Sequence, residues 1–188
     1  GGARPSISAP AGRPFELAAT ADAGELFWLA RNSADGGPPN GGLYHFTANG
    51  GSQPIGPPLE DPVGLALDRD GVYFGTASGI LRRYSFATRS LDVVGDTRDA
   101  GFHVATQVAA YNGYFEQGLL LARGEHLFWI AKTEYDASYP TYLLVKQRRC
   151  GGPLTVLADL AFDAPYGLAV DDAWAYWITA NGIWRVPH

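Results

Sequence analysis

Methionine is absent from this 188-residue chain, lysine occurs only at Lys132 and Lys146, and cysteine occurs once, at Cys150. A single cysteine excludes an internal disulfide and a cysteine-rich zinc site, and it leaves the redox compartment open. Arginine outnumbers lysine twelve to two, a bias that fits a GC-rich source better than a chemical need. Charged residues make up 18% of the chain and the net charge is −5; the basic doublets are Arg82-Arg83 and Arg148-Arg149. A nucleic-acid partner needs a basic footprint against phosphate, so none is expected. No run of about 18 apolar residues occurs, and no transmembrane segment is expected. No basic stretch followed by an apolar one opens the chain, so a signal peptide was removed or never present. Gly-x-Ser-x-Gly, His-Glu-x-x-His and a phosphate-binding glycine loop are all missing. The reading leans away from an enzyme, and no catalytic residue is assigned.

What is present is turn chemistry and aromatics, with 24 glycines, 13 prolines and 13% aromatic residues. Aromatic pairs recur at Phe27-Trp28, Tyr73-Phe74, Phe128-Trp129 and Tyr176-Trp177, in steps of 46, 55 and 48 residues. A repeat of roughly 40–50 residues built from short strands predicts a β-propeller. The fold class is therefore all-β, with one propeller domain over 1–188 and blades near 15–59, 62–96, 100–160 and 164–188. The strand candidates fall at 15–20, 25–31, 43–48 and 53–59; at 64–68, 71–76, 80–86 and 91–95; and at 118–123, 126–132, 142–148 and 154–160. The fourth blade has 167–171, 175–179 and 183–186, and lacks a fourth strand. Residues 5–9, around Ser6-Ile-Ser8, supply it if the ring is closed as a four-bladed propeller by an N-terminal strand. Closure leaves no open sheet edge. The alternative is a fragment of a six- to eight-bladed propeller.

Blades two and four share Pro-x-Gly-Leu-Ala-[Leu/Val]-Asp, at 62–68 and 165–171, which blades one and three lack. A two-blade unit of about 100 residues follows, since Phe27 to Phe128 is 101 residues and Tyr73 to Tyr176 is 103. The Gly-Leu-Ala run suits an innermost strand buried on both faces. Its terminal aspartate opens a tight hairpin turn, as in Asp68-Arg-Asp-Gly71. Neighbours in a strand face opposite ways, so each aromatic pair can fill the gaps to both adjacent blades. Trp28, Trp129 and Trp177 are expected in the core; Trp174 and Trp184 lie outside the pairs.

The residues Pro165-Tyr-Gly-Leu-Ala-Val-Asp-Asp, Tyr176-Trp-Ile-Thr and Gly182-Ile-Trp-Arg-Val-Pro187 resemble a YWTD/NHL-like propeller repeat. They are similar above all to repeats of bacterial, often myxobacterial, secreted propellers. Gly151-Gly-Pro-Leu-Thr-Val-Leu-Ala158 fits the segment between such repeats. The likeness is good over 151–187, fair over 62–91 and weak elsewhere, and Tyr176-Trp-Ile-Thr179 lacks the final Asp of YWTD. It implies the fold and an extracytoplasmic binding role (periplasmic, cell-surface or secreted), and it carries over no catalytic residue.

Three long insertions, 32–42, 96–117 and 133–141, leave from one face, while the turns on the other are tight. Binding residues gather on long loops over a rigid scaffold. The candidates are Tyr111, Tyr114, Phe115, Tyr135, Tyr139, His103 and Asn112. They offer aromatics and amides with little positive charge, which suits a protein or glycan partner. The same aromatics could instead tether the loops to the ring. His103 with Glu116, Glu134 and Asp136 forms a weak metal candidate of irregular spacing, Ca2+ being the ion considered. The aspartates at 68–70 and 171–172 are read as hairpin chemistry. Three functions stand open: a non-enzymatic binding or scaffolding propeller, a metal-dependent lactonase-like hydrolase or lyase, and a structural subunit of a larger assembly.

Overall fold

A computed structural model gives the structure of the chain and describes residues 13–20, 24–31, 41–47, 51–59, 61–98, 102–104, 108–110, 113–115, 119–133 and 141–188. Among these are eighteen β-strands and no α-helix. The chain divides into two compact units, 1–62 and 63–188.

In the first unit, β1 (Arg13–Ala19), β2 (Leu26–Arg31), β3 (Gly41–Thr47) and β4 (Gly51–Leu59) form one antiparallel sheet in chain order. The alternation of β2 sets its two faces. Trp28 stacks on Tyr44 at 5.6 Å between ring centres, and Phe27 stacks on His45 at 4.6 Å. Both are directly opposed cross-strand pairs, the contact type that stabilises a sheet locally.

The second unit holds three successive blades. The first is β5 (Pro62–Leu67), β6 (Gly71–Thr76), β7 (Ile80–Ser85) and β8 (Leu91–Asp96). The next is β12 (Leu120–Arg123), β13 (His126–Thr133), β14 (Tyr142–Arg148) and β15 (Thr155–Ala161). The last has β16 (Gly167–Val170), β17 (Trp174–Thr179) and β18 (Gly182–Pro187). We call them blades two, three and four. Segments 5–9, expected as the closing strand beside β18, lie outside the described residues.

Strand β13 shows why the blades pack as they do. Leu127, Trp129 and Ala131 join Val63, Ala66, Tyr73 and Leu81 of blade two in one buried cluster. Phe128 and Ile130 point the other way, into a cluster with Leu160 and Ala175, flanked by Leu168, Val170 and Trp177 of blade four. One aromatic of the pair thus fills each gap, and burying each such side chain contributes about 1.5–3 kcal/mol. Trp129 is fully buried, whereas Trp177, expected in the core, is only partly so.

The sequence pattern placed the strands of all four sheets to within about two residues and missed others. The insertion at 96–117, expected as a loop, carries β9 (Phe102–Val104), β10 (Val108–Ala110) and β11 (Gly113–Phe115). Each is three residues long, below the length at which alternation can be read. β10 and β11 pair with each other. β9 pairs with β13 at Ala131, Lys132 and Thr133. Those three positions lie beyond the reach of the shorter β12, whose ladder ends at Trp129. β9 therefore occupies an edge that would otherwise stay open. Trp174, expected in a turn, opens β17 instead.

Candidate functional site

Antiparallel order sends the connections of unit two to opposite ends. The tight turns after β5, β7, β12, β14 and β16 gather at one end, and the insertions around 99–119 and 134–140 leave from the other. At the insertion end, Thr133 N–H donates to Thr141 O at 2.9 Å and closes the base of the second insertion. His103 is opposed to Lys132 in the β9–β13 ladder, and Tyr114 and Phe115 are opposed to Ala109 and Val108 in the β10–β11 pair. Tyr111, Asn112, Tyr135 and Tyr139, with the metal candidates Glu116, Glu134 and Asp136, lie outside the described residues. Among the described residues no group of three or more His, Cys, Asp or Glu is placed to hold a metal ion.

The tight-turn end holds a constellation that sequence reasoning did not assemble. Between blades two and three lies a cavity of about 790 Å3. Its walls come from the β5–β6 turn (Arg69, Asp70), β6 and β7 (Tyr73, Arg83), the β7–β8 turn (Phe86, Ala87), Glu125 and the end of β14 (Arg148, Arg149, Cys150). The geometry starts with Asp68. Its Oδ1 accepts the backbone N–H of Asp70 at 2.7 Å and of Gly71 at 3.0 Å, which fixes the turn by the usual aspartate mimicry of backbone. Its Oδ2 accepts from Arg149 Nη1 of blade three. Arg149 also lies 3.4 Å from Asp70 Oδ2, and Arg69 Nε lies 3.5 Å from the other Asp70 oxygen.

The remaining polar groups are less satisfied. Arg83 and Arg148 have no carboxylate at ion-pair distance among the described residues, and Arg83 Nε is buried without a hydrogen-bond partner. Tyr73 is 1% exposed, lines the cavity, and its hydroxyl bonds to no described group. Burial pushes the Tyr73 phenol up from its ordinary value, with Arg83 pulling it down and Asp70 pushing it further up. A smaller hollow of about 220 Å3 shares Arg148 and adds His126 and Lys146. The sequence did show the two arginine doublets. It did not show that blade pairing places Arg83 of one beside Arg148 and Arg149 of the other.

The aspartate turns behave as hairpin chemistry predicts, since Asp171 Oδ1 accepts from Ala173 N–H and Trp174 N–H at 2.8 and 2.7 Å. His45 is stacked on Phe27. His188 meets Phe128 edge-on at 4.7 Å and sits 3.0 Å from Asp171 O, contacts its position had not suggested.

No family model matches the chain, and no curated protein matches it. Solved structures do. A luciferin-regenerating enzyme is similar at 15% identity and TM-score 0.58, over 94% of this chain and 62% of that one. A gluconolactonase from Xanthomonas campestris is similar at 15% identity and TM-score 0.55, over 97% and 60%. The computationally designed protein Ika4 is similar at 12% identity and TM-score 0.55, over 96% of both chains. The chain thus spans less than two thirds of either enzyme. At these identities the likeness shows the fold alone: the chain has the fold of a β-propeller.

Proposed function

We propose that the chain is a non-enzymatic binding propeller that recognises a protein or a glycan through its insertion end. One observation supports this reading above others. Nine residues of the longest insertion form three short strands, and one of these, β9, is hydrogen-bonded to the middle blade of unit two. A contact surface held on a rigid sheet loses less entropy on binding than a free loop. Tyr111, Tyr114, Phe115, Tyr135 and Tyr139 supply the aromatic surface, and His103 and Asn112 supply hydrogen bonds. The YWTD-like repeat at 151–187 adds the proposal of an extracytoplasmic location. No resident cofactor belongs to this reading. The lactonase-like alternative rests on the shared fold, and the assembly alternative on the sparse surface charge.

The test is a glycan and protein-partner screen on the whole chain, repeated with Tyr114→Ala and Tyr135→Ala. The expected result is saturable binding that both substitutions weaken while the melting temperature holds. Lactone turnover abolished by EDTA, with a matching drop in melting temperature, overturns it in favour of the metal enzyme through mass action on the native state. A mass several times that of one chain favours the assembly.

A further inference from the structure

Blades two and four carry the same local machinery, and only one of them uses it up. Tyr73 faces Arg83 across the β6–β7 ladder as Tyr176 faces Arg185 across β17–β18. Asp68 and Asp171 each accept two backbone N–H groups with Oδ1. In blade four the Tyr176 hydroxyl donates to Asp171 Oδ2 at 2.8 Å, and the Arg185 guanidinium lies 4.3 Å from the centre of the Trp174 ring. Every polar tip has a partner. In blade two the aspartate's second oxygen is taken by Arg149 from the neighbouring blade. The position of Trp174 is held by Gly71, so the ring that Arg185 lies on has no counterpart at that position beside Arg83. Among the described residues the Tyr73 hydroxyl has no hydrogen-bond partner, and Arg83 Nε is buried without one, at the wall of the 790 Å3 cavity.

We propose that this cavity binds a small molecule of about sugar size bearing an oxyanion, a carboxylate or a phosphate. Arg83 and Arg148 hold the anion, and the Tyr73 hydroxyl donates a further hydrogen bond. The charge supports an anion: four arginines face Asp70 and Glu125 here, although the chain as a whole carries −5. Guanidinium forks match planar oxyanions with two parallel hydrogen bonds. The volume falls in the range of small-molecule sites, and the Tyr73 and Phe86 rings give the ligand's body an apolar wall. This site stands at the opposite end of the blades from the proposed partner surface and does not depend on it.

Cys150, the only thiol in the chain, lines the cavity and reports on it. Iodoacetate and iodoacetamide both lose iodide to the same thiolate, so their rate ratio cancels the thiolate fraction and reads the local field. The expected ratio at low salt is roughly threefold or more above that of free glutathione, and it collapses at high salt. Arg83→Gln and the exposed Arg148→Gln each lower it. Glucuronate or glucose 6-phosphate should slow iodoacetamide labelling where glucose does not. Tyr73→Phe should raise the concentration needed by about tenfold, the loss expected for a hydrogen bond to a charged group. Lys132→Gln should change nothing. Protection by the uronate alone assigns a carboxylate, and by the phosphate alone a phosphate. A ratio equal to that of free glutathione overturns the proposal. So does protection by neither anion, equal protection by glucose, or protection unchanged in both arginine variants. Arg148→Gln keeps the test decisive if Arg83→Gln fails to fold.

Discussion

Blade two and blade four share the Pro-x-Gly-Leu-Ala-[Leu/Val]-Asp entry and an aromatic pair, yet they differ sharply in burial. All six residues of β6 are buried, whereas in β17 only Ala175 and Thr179 are buried and the other four are half-buried. In the third strand Leu81 is fully buried, while Ile183 is 74% and Trp184 48% exposed. The repeat pattern therefore specifies strands and turns, and neighbours decide what each strand contributes to stability. The sharpest way to break this comparison is to truncate both third strands. Leu81→Ala should cost about 2–5 kcal/mol, because it leaves a cavity in a packed cluster. Ile183→Ala should stay within about 0.5 kcal/mol, as surface changes do. Urea unfolding of the two variants measures both. An Ile183→Ala cost that grows with protein concentration would mean that a second copy covers this face in solution.

Two arginines of blade three reach carboxylates of neighbouring blades, Arg149 on blade two and Arg123 on blade four, and they sharpen the same contrast. Arg149 and Asp68 are 19% and 15% exposed, while Arg123 and Asp172, 2.8 Å apart, are 53% and 91% exposed. Breaking a mostly buried pair strands the surviving charge, so Arg149→Gln should destabilise by about 3 kcal/mol. Arg123→Gln should cost at most about 0.5 kcal/mol and less in high salt. Equal effects would remove burial as the explanation.

Gly71 and Trp174 form the third contrast. A Cβ at Gly71 would sit 2.3 Å from the backbone oxygen of Tyr84, an atom that cannot step aside cheaply. Gly71→Ala should cost about 1–3 kcal/mol through that overlap. Trp174→Ala removes the ring under Arg185, and an exposed cation–π contact is worth about 0.5–1 kcal/mol. The larger loss is thus expected from adding one carbon.

These contrasts also mark what the sequence could tell. The aromatic pairs and the Gly-Leu-Ala runs each register a local rule, period two plus a turn, so the strands of the four sheets were legible. The three-residue strands β9 to β11 were not, because β9 exists only by virtue of the unpaired end of β13. The cavity was less legible still. Arg83 and Arg149 are 66 residues apart in the chain, and nothing local says that they meet. Comparing the repeats would have offered one signal, the Gly71-for-Trp174 exchange. The long loops drew attention to the opposite end.

The smallest effect is one of pH, and its sign separates His126 from an ordinary surface histidine. Burial pulls the His126 imidazole below its ordinary 6.5, and Lys146 and Arg148 pull it further, with His188 adding slightly and Glu125 opposing. The folded state therefore takes up this proton at lower pH than the unfolded chain does. Wherever the unfolded chain binds more protons, stability rises with pH. Stability should hold above the ordinary imidazole value and decline as pH falls from there through the lower folded value. Melting temperatures between pH 7.5 and 5 should show that decline in the parent chain and a flatter profile in His126→Gln. A steeper profile in the variant would mean that His126 gains a partner on protonation, with Glu125, whose charge already favours the imidazolium, as the candidate. Arg148→Gln should also flatten the profile, since it removes one of the positive charges that depress the imidazole. Because Arg148 lines both hollows at this end, that same change links the pH profile of the fold to the field inside the cavity.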